Sequence, residues 1–254
     1  MRAWFFVVAL LGSLLLWPAV AEAHRPVFVE PERATLQTPF EIGDPAISWA
    51  FYGRLSGPAS HGVYRLHAEA GEPLYFGALV PRIERLRGLR PSVALVGPGL
   101  PAEGVAELPI AAPPGSGAIL LHPVGTEPQR FYEPFTQVNY WKYPDIQIPA
   151  PSTGDYWLVV WSPSGQTGPY MLAVGEREEL GAADILRFPA SWVRARMHAE
   201  QPVWYGVLAA VLVVGLIVYA ILRLVRRLRR RNRRARAGGA RASRARRLPR
   251  GRCS

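Results

Sequence analysis

Residues 154–174 read GDYWLVVWSPSGQTGPYMLAV, and this stretch decides the fold. Large apolar residues recur at every second position on both sides of the turn signal Ser-Pro-Ser-Gly at 162–165. They are Tyr156, Leu158 and Val160 before the turn, and Tyr170, Leu172 and Val174 after it. Alternation with a period of two is typical of strands that bury one face, so the stretch predicts two β-strands joined by a turn.

Similar short apolar runs precede this pair. They lie at 47–55, 64–68, 74–80, 92–96 and 118–121. The chain has 25 prolines and 24 glycines, most of which separate these runs, and no stretch of twelve residues in this region keeps the period of a helix. A parallel sheet would need crossover helices. The pattern therefore predicts an all-β fold, a jelly-roll-like antiparallel β-sandwich.

The same runs resemble a known family. They comprise Tyr64-x-Leu66-x-Ala68-x-Ala70-Gly71-x-x-Leu74, Val93-Ala94-Leu95-Val96-Gly97-Pro98, Thr153-Gly154-Asp155-Tyr156-x-Leu158-Val159-Val160 and Gly168-x-Tyr170-x-Leu172-x-Val174. In this order they are similar to the pre-peptidase C-terminal type of jelly-roll domain, over about residues 62–175. The resemblance implies an accessory extracellular β-sandwich without chemistry of its own. The sequence departs from that pattern by a long insert at 101–146.

Residues 203–222 contain no charged residue, and one transmembrane helix is predicted there. Twenty helical residues span about 30 Å, the thickness of the hydrocarbon core of a bilayer. Arg223, Arg226 and Arg227 follow the span at once, so the positive-inside rule predicts a single-pass protein of the cell membrane with its C-terminus in the cytoplasm. Trp204 and Tyr205 are expected at the outer membrane interface.

The remaining segments follow from this topology. Residues 1–23 have the apolar run and the Ala-Glu-Ala ending of a signal peptide, so the mature chain is expected to begin at His24. Residues 24–175 form the exported domain, and residues 223–254 form a basic cytoplasmic tail. Residues 176–202 form a membrane-proximal stalk, in which Pro189 divides two short helical turns. This stalk either lies on the outer membrane face or packs back on the sandwich, and both alternatives stay open.

The charge of the chain is divided unevenly. Of 30 basic residues 15 follow Leu222, whereas all 19 acidic residues precede it, so the tail carries +15 and the rest −4. The expected partners of the tail are therefore membrane lipids with anionic headgroups, and no specific nucleic acid is expected. The only cysteine is Cys253, in the tail, so the exported domain has no disulfide. This cysteine usage fits a prokaryotic source.

The segment 129–141 has an unusual aromatic content. Its candidate ligand-binding residues are Phe131, Tyr132, Glu133, Phe135, Tyr140 and Trp141. In one interpretation the aromatic side chains form a surface that binds an extracytoplasmic protein or a carbohydrate. In the other, the segment folds back over the sandwich, buries its aromatic side chains and uses Glu133 to cap backbone amides.

The sequence contains no catalytic motif. Gly-x-Ser-x-Gly, His-Glu-x-x-His and phosphate-binding glycine loops are all absent from it, so no enzyme activity and no cofactor are predicted. The alternative is an exported copper-binding protein, because a mature N-terminal His24 offers an amine and an imidazole to one ion, with His61, His67 or His122 as further ligands. Calcium would take scattered acids, namely Glu41, Asp44, Glu133, Asp145 and Asp155. An enzyme of unrecognised class is the third hypothesis.

Overall fold

A computed structural model describes residues 24–29, 35–179 and 181–245 and divides the chain into two compact units, Met1–Gln201 and Pro202–Ser254. The described part of the first unit contains two β-sheets, one α-helix and two short 3-10 helices, and the described part of the second contains one long helix whose first part is apolar. The predicted all-β sandwich with one C-terminal helix is therefore confirmed. The expected signal peptide and the end of the basic tail lie outside the described residues.

The described part of the first unit contains eleven strands. They are β1 (Arg25–Phe28), β2 (Phe40–Glu41), β3 (Trp49–Leu55), β4 (His61–Ala68), β5 (Pro73–Pro81), β6 (Ser92–Gly97), β7 (Gly117–Leu121), β8 (Gln129–Glu133), β9 (Val138–Pro149), β10 (Gly154–Trp161) and β11 (Gly168–Val174). The order in the six-stranded sheet is β1-β3-β11-β5-β9-β8, and in the five-stranded sheet β2-β4-β10-β6-β7. All pairs are antiparallel except β1 with β3 and β2 with β4, which lie at the sheet edges.

The strands β10 and β11 belong to different sheets, so the turn that joins them crosses from one layer to the other. Their alternating residues meet in the core between the layers, where Tyr156, Leu158 and Leu172 are fully buried. The hydroxyl groups of Tyr64 and Tyr170 hydrogen-bond there at 2.8 Å. The ring of Tyr170 reaches this position because Gly62 has no Cβ, which would lie 2.3 Å from its hydroxyl oxygen.

A segment around the 3-10 helix Ala102–Glu107 covers the outer face of the five-stranded sheet. Val105, Leu108 and Ile110 pack there against Val96 and Val159. The segment 101–146, which the sequence presents as an insert, therefore contributes structure to both layers. It supplies this cover, the edge strand β7, the edge strand β8 and most of β9.

A helix, α1 (Ala182–His198), covers part of the outer face of the six-stranded sheet. Its Ala195, together with Ala199 just after its end, is buried in a cluster with Tyr52 and Tyr140. The expected division at Pro189 does not occur, since α1 is continuous through it. A proline inside a helix removes one hydrogen-bond donor and costs about 3 kcal/mol. Burial of the following turns against the sheet offsets this cost.

The second unit is the helix α2 (Trp204–Ala245). Its first 24 residues, Trp204–Arg227, are long and apolar enough to cross a membrane. The side chains of Trp204 and Tyr205 make an edge-to-face contact at 5.9 Å between ring centres. Arg223, Arg226 and Arg227 are exposed at the other end of the apolar run.

Two neighbouring residues of β4 give a test of the sandwich. Leu66 is buried in the core, whereas His67 is exposed on the same strand. We expect Leu66→Asn to lower the free energy of unfolding by about 3–5 kcal/mol, because it removes apolar contacts and buries an amide. The matched variant His67→Asn should change it little. Equal effects in denaturant unfolding would contradict the orientation of β4.

Candidate functional site

A groove of about 370 Å³ lies on the outer face of the six-stranded sheet. Its lining consists of His24, Ser48, Tyr75, Leu79, Phe131, Lys142, Met171, Ala173, Gly175, Glu176 and Glu178. The groove extends toward the end of the sheet where Ser48 and Gly175 lie. The helix α1 covers the opposite end, where His198 bonds to Gly53. A volume of this size is at the lower end of the range for ligand pockets.

Alternate residues of neighbouring strands form the apolar part of the groove. Leu79 of β5 pairs with Met171 of β11, and both pack in the cluster that also contains Ala173. Tyr75 and Phe131 are partly buried against this cluster. The groove therefore combines an apolar lining with two aromatic side chains, a composition typical of ligand sites.

Lys142 is held in the groove by two neighbours. Its Nζ lies 2.6 Å from Oδ2 of Asp145, which also accepts a hydrogen bond of 2.9 Å from the Tyr75 hydroxyl. Partial burial alone would lower the pKa of Lys142, but the hydrogen bond and charge of Asp145 raise it above the usual value. Burial also acts to raise the pKa of Asp145, but the bonds from Lys142 and Tyr75 lower it. Both groups are therefore charged at neutral pH.

The rim of the groove carries acidic and imidazole side chains. Glu176 and Glu178 are exposed, and Glu176 accepts a hydrogen bond of 2.9 Å from the amide of Gln147. The imidazole of His24 shares a short hydrogen bond with the hydroxyl of Ser48. The groove thus presents charges of both signs around an apolar lining.

The predicted aromatic segment forms the hairpin of β8 and β9, and its side chains point to different places. Phe131 lines the groove, Tyr132 is exposed, and Trp141 packs against the core between the sheets. Tyr140 is buried among the residues packed with α1, and Phe135 contacts Phe188 of α1 at 4.5 Å between ring centres. Of the six candidate residues, the structure brings only Phe131 into the groove.

Glu133 is 2% exposed and acts within the turn between β8 and β9. Its carboxylate accepts hydrogen bonds from the amides of Phe135 and Thr136, at 2.9 and 2.7 Å, and from the Thr136 hydroxyl. Arg196 of α1 is 3% exposed and donates to the carbonyl groups of Thr136 and Gln137, at 2.7 and 3.1 Å. The turn between β8 and β9 therefore hydrogen-bonds both the buried carboxylate of Glu133 and the buried guanidinium group of Arg196.

The candidate metal ligands are placed apart. Each histidine has its own neighbour: Ser48 for His24, the Ala59 carbonyl for His61, Asp155 for His67, and Ser92 with Glu107 for His122. Glu41, Asp44 and Asp145 pair with Arg65, Arg177 and Lys142. Within the described ranges, no three His, Cys, Asp or Glu side chains group as metal ligands. The copper alternative stays a prediction.

Sequence reasoning missed most residues of the groove, including Tyr75, Leu79 and Met171. They come from strands that are distant in the chain, so no local motif joins them. One signal was present, because Lys142 is the only lysine in a chain with 29 arginines. His24 and Phe131 belonged to separate hypotheses, and the structure brings them to one groove.

His198, at the end of α1, is held in a neutral form. Its Nε2 donates a hydrogen bond of 2.8 Å to the carbonyl of Gly53, and its ring contacts Tyr52 edge to face. Its Nδ1 is buried without a hydrogen-bond partner among the described residues. The pKa of His198 is lowered to about 4, chiefly by burial and also by the charge of Arg54, against the opposing effects of the Gly53 carbonyl and the Glu200 carboxylate.

No protein-family model matches the sequence, and no curated protein matches it. The solved structures that are similar in part include the following three. The periplasmic inhibitor of g-type lysozyme, PliG, of Aeromonas hydrophila is 18% identical and matches 60% of this chain and 98% of its own, with a TM-score of 0.33. The pre-peptidase C-terminal domain of collagenase from Bacillus anthracis is 14% identical, with 54% and 93% covered and a TM-score of 0.29. CorA, a surface-associated copper-binding protein of Methylomicrobium album, is 13% identical, with 61% and 99% covered and a TM-score of 0.27.

The pKa of His198 predicts how stability changes with pH. The unfolded chain binds this proton at about pH 6.5, whereas the folded protein binds it only near pH 4. We therefore expect the free energy of unfolding to fall as the pH is lowered from 6.5 to 4, by up to about 3 kcal/mol from this group. Denaturant unfolding of His198→Gln should lose this part of the pH dependence. His61→Gln, whose ring bonds within its own turn, should keep it. Identical pH profiles for the wild type and His198→Gln would contradict the buried neutral imidazole.

Proposed function

We propose that this chain is a single-pass membrane protein that displays a non-catalytic, extracytoplasmic β-sandwich as a binding or accessory domain. The observation that carries the proposal is the groove lined by Tyr75, Phe131 and Lys142, in a compact unit followed directly by a helix long and apolar enough to cross a membrane. The accessory role is also what the resemblance of 62–175 to pre-peptidase C-terminal domains implies.

The geometry of the groove supports binding. Two aromatic side chains flank an apolar surface, while Lys142 is fixed by Asp145 and Tyr75 before any ligand arrives. A preorganised polar group next to an aromatic surface reduces the entropy lost on binding. The groove suits a ligand that has an apolar face and a polar edge, as a sugar ring or a peptide segment has.

The charges in the groove argue against acid–base catalysis as its role. A general acid or base works best with a pKa near the operating pH. The pKa of Lys142 is raised and that of Asp145 is lowered, so both values move away from neutrality. These two residues therefore serve better as fixed charges for orienting a ligand than as proton donors or acceptors.

The charge distribution supports the proposed orientation in the membrane. The arginine-rich tail follows the apolar run of α2, and the unit that contains the groove precedes it. Under the positive-inside rule this distribution favours a sandwich outside the membrane and a tail in the cytoplasm, where we expect it to contact anionic lipid headgroups.

The single native cysteine allows a direct test of topology. In spheroplasts, a membrane-impermeant maleimide should label Cys253 only after the membrane is permeabilised, because the tail is cytoplasmic. The matched variant carries Cys253→Ser and Val124→Cys. Position 124 is 69% exposed on the sandwich, so it should be labelled in intact spheroplasts. Labelling of Cys253 without permeabilisation would overturn the proposed orientation.

The groove is tested by photo-crosslinking in intact cells. A photoreactive amino acid at Phe131 should give a specific adduct, whereas the same amino acid at Val124, outside the groove, should not. The adduct should weaken in Lys142→Met, since the fixed cation is lost. It should persist in Arg130→Met, which removes an exposed cation that does not line the groove. Equal adducts at positions 131 and 124, or none at 131, would argue against the groove as the binding site.

A further inference from the structure

The helix α1 has an apolar stripe on the side that faces away from the sheet. Leu186, Ala190, Val193 and Met197 are spaced at i, i+4, i+7 and i+11, which places them on one side of a helix. Leu186 is 83% exposed, Met197 is 63% exposed, Ala190 is exposed and Val193 is half-buried. Single exposed apolar residues are ordinary, but an aligned stripe of them marks an interaction surface.

This stripe is not the side of α1 that packs on the sheet. Among the described side chains of α1, Ala195 and Arg196 are buried on its other side, and the apolar cluster that contains Ala195 also contains Ala199 just after the helix end. The helix is therefore apolar on two sides, of which the sandwich covers one. A helix that only docked on the sheet would be expected to carry polar residues on its outer side.

The charges beside the stripe are basic. Arg187 and Arg194 are exposed next to it, and the guanidinium group of Arg194 lies 4.1 Å from the ring centre of Phe28. The acid in the first turn of α1, Asp184, accepts a hydrogen bond from the amide of Gly181 and lies 3.4 Å from Nε of Arg25. An apolar stripe flanked by arginines is the pattern of helices that lie in a membrane interface.

The length of the chain keeps α1 close to the bilayer. The amides of Ala199, Glu200 and Gln201 bond back to carbonyl groups of the last turns of α1, so these residues do not extend away from it. Pro202 and Val203 then precede Trp204, where α2 begins. Three steps between Cα atoms cover at most about 11 Å from Gln201 to Trp204. Trp204 and Tyr205 are interface residues of the proposed span, so the end of α1 cannot be far from the headgroups.

We propose that α1 is a membrane-surface helix that lies between the six-stranded sheet and the outer leaflet, with its stripe inserted among the lipid chains and Arg187 and Arg194 at the headgroups. The inference rests on the membrane anchoring proposed above and adds a second lipid contact. The sandwich is then held in a fixed orientation on the bilayer, and the segment between the domain and the span does not act as a flexible stalk.

The test uses the full chain with Cys253→Ser in nanodiscs of phosphatidylcholine and phosphatidylglycerol. A fluorophore attached to Ala190→Cys should be quenched by lipids that carry a nitroxide on the acyl chain, and the same fluorophore at Val124→Cys should not. Leu186→Glu with Met197→Glu should abolish the quenching at position 190. Because both side chains are exposed, thermal unfolding of the sandwich should not change. Lys142→Met, outside the stripe, should keep the quenching.

The outcomes separate this inference from the proposed anchoring. If alkaline carbonate releases the chain from membranes, α2 does not span them, and the anchoring falls together with this inference. A water-soluble quencher is used as the second probe. If the chain resists extraction but the fluorophore at position 190 is quenched only by this second probe, the surface role of α1 alone is wrong. If the fluorophore at position 190 is quenched by neither probe, a second copy or another protein covers the stripe, and the proposed lipid contact is wrong.

Discussion

The six-stranded sheet has two apolar faces, and the structure depends on how the outer one is covered. The helix α1 covers one end of that face and is held there at the turn between β8 and β9. The buried carboxylate of Glu133 accepts a hydrogen bond from this turn, and the buried guanidinium group of Arg196 on the helix donates one to it. A buried charge is costly unless it is hydrogen-bonded, and removal of one member of such an arrangement leaves the other uncompensated. This requirement fixes α1 on the sheet. With α1 in this position, the groove stays open at the other end of the face, and the exposed stripe of α1 points away from the sheet.

The sequence was sufficient to predict the core strands. Tyr156, Leu158 and Leu172 alternate because each strand buries one face between two layers, and the same alternation identifies β4 and β5. Of the four edge strands, only β7 was marked by such an apolar run, and β1, β2 and β8 were not predictable in this way. The strand β2 has only two residues, and β8 carries Glu133 on the side that a simple pattern assigns to apolar residues. The partner of that carboxylate is a turn, which composition alone does not reveal.

The site depended on contacts between distant parts of the chain. The lining of the groove runs from His24 to Glu178 because β11 lies between β3 and β5 in the sheet, an order that local periodicity does not contain. The aromatic segment 129–141 was identified by composition, yet strand alternation directs Tyr140 and Trp141 to opposite faces. Composition therefore located a region of interest, and the register of β8 with β9 decided which of its residues reach the surface.

The two alternatives for the segment before the span have one physical origin. A helix that packs on a sheet and a helix that lies on a membrane both need an apolar side, so the apolar content of 176–202 could not separate them. The structure has α1 on the sheet through Ala195 and Ala199, and a second apolar side remains around Ala190. The alternatives exclude each other only for a helix with one apolar side. If α1 has two apolar sides, packing on the sandwich presents the second side outward. This side lies beside exposed arginines and a few residues before the apolar helix α2, and its chemistry matches that of a lipid surface.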